Sequence, residues 1–236
     1  MSSIYGRIPK DFVLLVACDE VYAREHLSVF VKSASINGNR THAHLIDPSA
    51  ETLARAELLR SWNFSYTFES DKLVTNNLEA ARIYYACSRF FMATFLLSRG
   101  SGPLLVLDVD AVVRGFIDRN DFQDFQVFRR DPIGVNDWER YATHVAAGAV
   151  FYSDREKGLR AAEFVDREIK SYFESGQQRW FIDQAALYSA LSTYGGDPPI
   201  DKKYIDWDFD DSTLVWTAKG DRKNAQRYLE ERRKYE

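Results

Sequence analysis

Two aspartates one residue apart, Asp108 and Asp110, directly follow the aliphatic run Leu104-Leu-Val-Leu107. Such a run reads as a buried strand, and side chains i and i+2 of an extended segment point to the same side. Two carboxylates brought together at a strand end can hold one hard divalent cation through oxygen ligands. That cation could act as Lewis acid and template for a diphosphate leaving group. With neither a cation nor a basic group nearby, the two charges repel. The pattern alone is not selective. Asp206-Trp-Asp208 and Asp208-Phe-Asp210 repeat it in a polar segment with no aliphatic run before it, where a solvated acidic loop or strand edge is the plainer expectation.

The elements that must position these carboxylates are legible around them. Residues 12–18 form a continuous apolar run of strand length, as expected of a parallel strand covered on both faces. A helix should follow to about residue 34, then a strand over 42–46, a helix over 50–62 and a strand over 64–68. The longest helical pattern spans 76–99, with Ile83, Cys87, Phe90, Thr94 and Leu97 at steps of three and four, and Gly100-Ser-Gly-Pro103 stops it. A later strand over 148–152 runs into Ser153-Asp-Arg-Glu156, a capping-box pattern that should open a helix to about 173. Another helix is expected over 181–191. The alternation predicts an α/β fold, one Rossmann-like domain over 1–236 with a mostly parallel central sheet flanked by helices. Ligands of such sheets bind outside the carboxyl ends of the strands, where Asp19 and Asp108 fall.

Bulk properties narrow the class. A chain of 236 residues that is 45% hydrophobic can bury one sizeable core. A net charge of −4 argues against a duplex nucleic-acid partner, which needs phosphate neutralisation by Lys and Arg. Cys18 and Cys87 sit in apolar runs and read as buried, reduced thiols of a cytoplasmic protein. No apolar stretch approaches the ~20 residues of a membrane span, and residues 1–10 lack the layout of a signal peptide. His42-Thr-His44 would place two histidines on one strand face, toward solvent or a helix rather than a metal. The tail 219–236 carries seven basic and four acidic residues, a net of +3; it reads as a solvated terminal helix, with peripheral membrane contact as the alternative.

Several segments, in order, resemble family 8 glycosyltransferases, the galactosyltransferase- and glycogenin-like enzymes of GT-A fold. Ala17-Cys-Asp-Glu-Val-Tyr22 looks like that family's A-A-D-x-N-Y segment, and Leu104–Val113 is close to its Y-L-D-x-D-h-h-V. Arg89 resembles the arginine upstream of the metal motif. Val145-Ala-Ala-Gly-Ala-Val150 resembles F-N-A-G-V, Phe181-Ile-Asp-Gln184 resembles the D-Q segment, and Trp216-Thr-Ala-Lys-Gly-Asp-Arg-Lys223 resembles the C-terminal H-x-x-G-x-x-K element. Thr217, Ala146 and Val21 stand where the family has histidine, asparagine and asparagine.

The resemblance implies a metal-dependent transferase that moves a sugar from a nucleotide diphosphate donor, a UDP-sugar first, to an acceptor with retention. The nucleotide-binding half would cover about 1–113 and the acceptor side about 114–236. Asp108 and Asp110 would hold Mn²⁺ or Mg²⁺. Asp19 and Tyr22, with Ala17, would meet the base; Val109, Lys219, Gly220 and Lys223 would flank the diphosphate; Arg89 would reach the donor. Asp183 and Gln184 would stand at the reacting face. The acceptor could be a glycan, a lipid-linked saccharide, a protein or a small molecule.

Two rivals share the aspartate pair. Leu105–Val113 also fits the first motif of haloacid dehalogenase-like phosphohydrolases, with Asp108 as nucleophile and Asp110 as general acid/base. That motif normally lies on the first strand, whereas here about a hundred residues precede it. A catalytically dead GT-A module that binds nucleotide without turnover is the other, motivated by Thr217.

Overall fold

Valine, leucine and alanine in unbroken succession favour an extended segment packed on both faces. The computed structural model, which describes residues 4–69, 78–195 and 198–236, places Val13–Asp19 at the middle of the sheet. In chain order the strands are β1 (Ile4–Gly6), β2 (Val13–Asp19), β3 (Thr41–Ile46), β4 (Phe64–Glu69), β5 (Leu104–Leu107), β6 (Ala111–Val113), β7 (Phe125–Arg129), β8 (Val145–Tyr152) and β9 (Val215–Thr217). The helices are α1 (Glu20–Tyr22), α2 (Ser28–Ile36), α3 (Ala50–Leu59), α4 (Leu78–Ser98), α5 (Asp137–Ala142), α6 (Glu156–Glu174), α7 (Ile182–Tyr194) and α8 (Gln226–Arg233).

Seven strands form one sheet in the order β1-β4-β3-β2-β5-β8-β7. The central β4, β3, β2 and β5 are parallel, while β1, β8 and β7 each pair antiparallel with their neighbours. The expected α/β architecture with a mostly parallel sheet is therefore present. Alternation along β2 splits the core. Leu14, Val16 and Cys18 pack with Phe30 and Val31 of α2 and Ala56 of α3. Val13 and Leu15 pack with α4, α6 and α7 on the other face. Cys18 and Cys87 belong to these opposite layers and are both free and buried, as expected.

Three expectations shift. The helix after β2 is interrupted by a π-helical turn, Ala23–Leu27, which turns His26 inward. The capping box does not form. The Ser153 N–H is tied to Asp124 O at 2.8 Å, and the helix begins only at Glu156, with Arg155 at the cap and no side-chain bond there. Gly158 packs so close to Ser153 that an added Cβ would meet its Oγ at 2.6 Å, which explains the late start. His42 and His44 are buried against β4, bonded to Ser65 and Thr67, rather than open to solvent. The expected start of the long helix at residue 76 lies outside the described residues. No helix among the described residues is long and apolar enough to cross a membrane.

A small second sheet pairs β6 with β9, Ala111 opposite Thr217. Against it pack Val29 of α2, Phe209 and Tyr228 of α8. The basic tail is thus a docked element, its Tyr228 O–H donating to Asp110 O at 2.6 Å.

Candidate functional site

The aspartates lie in a tight turn between β5 and β6, closed by Ala111 N–H to Asp108 O at 3.1 Å. The extended geometry expected for them is therefore not what brings them together; the turn is. Val109, between them, points its side chain into the core and can offer a ligand only its backbone.

Each carboxylate meets a cation of the chain. Arg89, at mid-α4 and almost fully buried, donates through Nη1 to Asp108 and through Nη2 to Asp183 at 3.3 Å. Lys223 stands 2.8 Å from Asp110 Oδ2. Burial alone would raise the Asp108 pKa, but Arg89 first, then Lys219, bring it below the ordinary carboxylate range. Asp110 goes the other way, raised by burial and by Asp108 against the pull of Lys223. Asp183 is also raised by burial, with Arg89 opposing.

Glycine 148 is why Asp108 fits. An added Cβ there would meet Asp108 Oδ2 at 2.6 Å and Ile205 Cδ1 at 3.0 Å. The small residue expected within β8 therefore has a steric function at the site. Asp183 and Gln184 open α7 behind Phe181, whose φ of 73° is a left-handed conformation unusual for a bulky residue. Gln184 Oε1 accepts from Arg130 at 3.1 Å, which leaves its amide N–H₂ as the uncommitted donor of a cleft-lining residue.

Arg89, Asp108, Gly148, Asp183, Gln184 and Lys219 line one open cleft of about 140 Å³, with Trp180 at its wall. Lys219 has no ion pair among the described residues. Burial lowers its pKa, Asp108 counteracts this, and Arg130 and Arg89 depress it further. It makes no direct ion pair, beside a cluster where Arg89 and Lys223 bond Asp108, Asp183 and Asp110.

Around this cleft the remaining expected residues take distinct places. Asp19 caps α1 by accepting from Tyr22 N–H at 2.9 Å, which orients the half-exposed Tyr22 ring. Lys223 Nζ lies 4.9 Å from the centre of that ring and 3.4 Å from its hydroxyl, bridging Tyr22 to Asp110. Gly220, at φ 56°, turns the chain so that Lys219 and Lys223 project toward the aspartates. Ala17 sits half-buried on β2 opposite His44.

Asp206 was expected in a solvated loop or at a strand edge, and it does bridge to Trp216 of β9. It is fully buried rather than solvated, accepting from Asp208 N–H at 3.0 Å and Asp210 N–H at 2.6 Å. It holds the 206–213 loop against β9 and has no part in a metal site.

Sequence reasoning did not single out Arg130 or Trp180. Arg130 directly follows β7, which runs parallel to β5 and ends on the same edge, so the strand-end rule pointed to it. Trp180 gave no periodic signal.

The divalent cation that the resemblance implies finds a poor match in these residues. No cluster of three or more His, Cys, Asp or Glu able to hold a metal exists among the described residues. Thr217, at the position of the family's histidine ligand, presents a neutral hydroxyl buried in the β6–β9 pair without a partner. Asp110 Oδ1 is the one carboxylate oxygen of the pair that is buried and unpartnered. One or two carboxylates with substrate phosphates can hold Mg²⁺, so ligand number is not decisive. The three surrounding cations are. In the phosphohydrolase reading Asp108 would act with its Oδ1 bonded to Arg89.

No protein-family model matches this chain, and no curated protein matches it either.

Proposed function

We propose that this protein is a glycosyltransferase that uses a nucleotide diphosphate sugar, a UDP-sugar first among candidates. The observation that carries the reading is the convergence of Arg89, Asp108, Asp183, Gln184 and Lys219 on one cleft at the carboxyl end of β5. Beside it, Tyr22 presents a half-exposed ring next to Asp19 and Lys223.

In this reading the base stacks at Tyr22 and the diphosphate lies along Lys219 and Lys223, with Gly220 allowing close approach. The bond from the anomeric carbon to the diphosphate breaks with its electron pair going to the phosphate oxygen. Charge grows on the leaving group, and fixed cations aimed at developing charge are usually the largest single contribution to catalysis. Lys219, which makes no direct ion pair among the described residues, is placed for that role, with Arg89 behind it. The uncommitted N–H₂ of Gln184 stands at the reacting face, and Asp183 positions Arg89 and the start of α7. Retention of configuration follows from the resemblance alone. Trp180 and residues 114–141 would flank the acceptor. Two thiols without a partner favour a reducing, cytoplasmic setting.

The test is release of nucleotide from UDP-glucose, UDP-galactose, UDP-N-acetylglucosamine and GDP-mannose, followed by chromatography. Release from one of them, reduced about 10- to 1,000-fold by Lys219→Ala, is the expected result. Binding of a nucleotide with no release from any donor would turn the reading to a dead binding module. Neither binding nor release would sink it.

A further inference from the structure

We infer that this site neutralises its diphosphate with resident cations and needs no divalent metal, Lys219 taking the place of the ion; the inference rests on the nucleotide-sugar reading above. Three observations carry it.

First, two of the four carboxylate oxygens a metal would use are already held by resident cations. Asp108 Oδ1 is bonded to Arg89, its Oδ2 faces Gly148, and Asp110 Oδ2 is held by Lys223 at 2.8 Å. Asp110 Oδ1, the neutral Thr217 Oγ1 and the Arg89 Nε donor are buried there without partners.

Second, each carboxylate already has a resident cation beside it. Arg89 and Lys223 serve Asp108, Asp183 and Asp110. With Lys219, and with Arg130 bonded to Gln184, four cations stand against three carboxylates, an excess of positive charge that an anion would offset. A bare dication placed among these cations would face all of them at close range in a buried site, where like charges are poorly screened.

Third, Lys219 lines the cleft together with Arg89 and Asp108, and of these two cations it alone has no carboxylate partner among the described residues. Its stem is held by the chain leading from β9, and its ammonium lies 5.2 Å from the centre of the Trp207 ring. A desolvated ammonium beside Arg89 and Arg130 gains most from an anion, and a diphosphate supplies two charges. The threonine at 217, just before this lysine, fits the same economy: a metal-free site has no use for an imidazole ligand there.

The experiment is calorimetric titration of UDP, GDP, CDP and ADP into the full-length protein after exhaustive dialysis against EDTA. It is repeated with excess Mn²⁺ or Mg²⁺. The expected result is binding of at least one nucleotide without metal, with Kd changed less than about threefold by either ion. Lys219→Ala should weaken metal-free binding about 10- to 100-fold, the usual span for a lost charge-assisted bond, and Lys219→Arg should recover part of it. Should the variants not fold, the free Mn²⁺ resonance signal of the wild-type protein decides. An undiminished signal in the presence of nucleotide beyond what nucleotide alone removes supports the inference. Binding only in the presence of metal, or stoichiometric Mn²⁺ uptake by the protein, overturns this inference and leaves the nucleotide-sugar reading standing. No nucleotide binding in either condition overturns both.

Discussion

At the residue scale, the site is a set of buried charges that hold one another in place. Arg89 is the keystone because it serves Asp108 and Asp183 at once from the middle of α4. Removing one partner of a buried ion pair leaves the other charge uncompensated, which costs far more than the pair contributes by itself. Glycine 148 sets the distance of closest approach. Gly148→Ala should push a methyl group into Asp108 Oδ2 and Ile205 and destabilise the protein by about 1–3 kcal/mol, the usual cost of overpacking. Chemical denaturation would show it as a lower midpoint, and nucleotide binding should fall with it. A variant with unchanged midpoint and binding would mean that Asp108 does not sit where the geometry places it.

At the element scale, the C-terminal segment closes the site from outside. The turn at Gly220 delivers Lys219 and Lys223, and α8 then docks through Tyr228 against Trp216, Phe209 and Val29. Its Tyr228 hydroxyl bonds the carbonyl of Asp110, so the helix holds the aspartate turn as well as covering the small sheet. Tyr228→Ala removes a fully buried ring and this hydrogen bond, and the expected loss is about 3–5 kcal/mol by denaturant titration. Arg233→Ala, on the exposed side of the same helix, should change stability little. Equal, small effects from the two would show that α8 is not docked in solution. The apolar side chains of the tail are used in this contact, which leaves the sequence-level expectation of a free basic helix without its premise.

At the scale of the whole molecule, stability should respond to acid through buried histidines. Burial holds His42 neutral, with His44 adding to the effect, and brings its pKa to about 3; burial, then Arg232 and Lys223, brings His26 to about 3 as well. Both values lie below the ordinary 6.5, so between pH 6.5 and 3 the unfolded chain binds more protons than the folded one. Stability is therefore intact above pH 6.5 and declines as the pH falls, by about 1–3 kcal/mol per histidine by pH 4.5. Glu69 and Tyr84 lie on the same side as His44, and Asp183 and Asp110, with raised values, oppose the trend, so the comparison must be internal. Thermal unfolding of His42→Gln beside wild type, from pH 7.5 to 4.5, should give a shallower slope for the variant. Parallel slopes would show that His42 is not buried uncharged.

Local chemistry determined much of this molecule before any folding was considered. Aliphatic runs bounded by glycine and proline specified β2 and β5, period-3.6 spacing specified α4, and an acidic pair after an aliphatic run specified where the site lies. These are short-range consequences of side-chain packing and backbone freedom, so they can be read along the chain. Tertiary structure alone decided the partners. Arg89 reaches Asp183 across 94 residues of sequence, and Lys223 reaches Tyr22 across 201. It also decided that Asp206 is a buried loop anchor whereas Asp108, with the same local pattern, is clamped by an arginine. A carboxylate's charge state and availability depend on which cations, backbone donors and apolar walls converge on it. That convergence is made by the order of the strands, and one-dimensional spacing carries no trace of it.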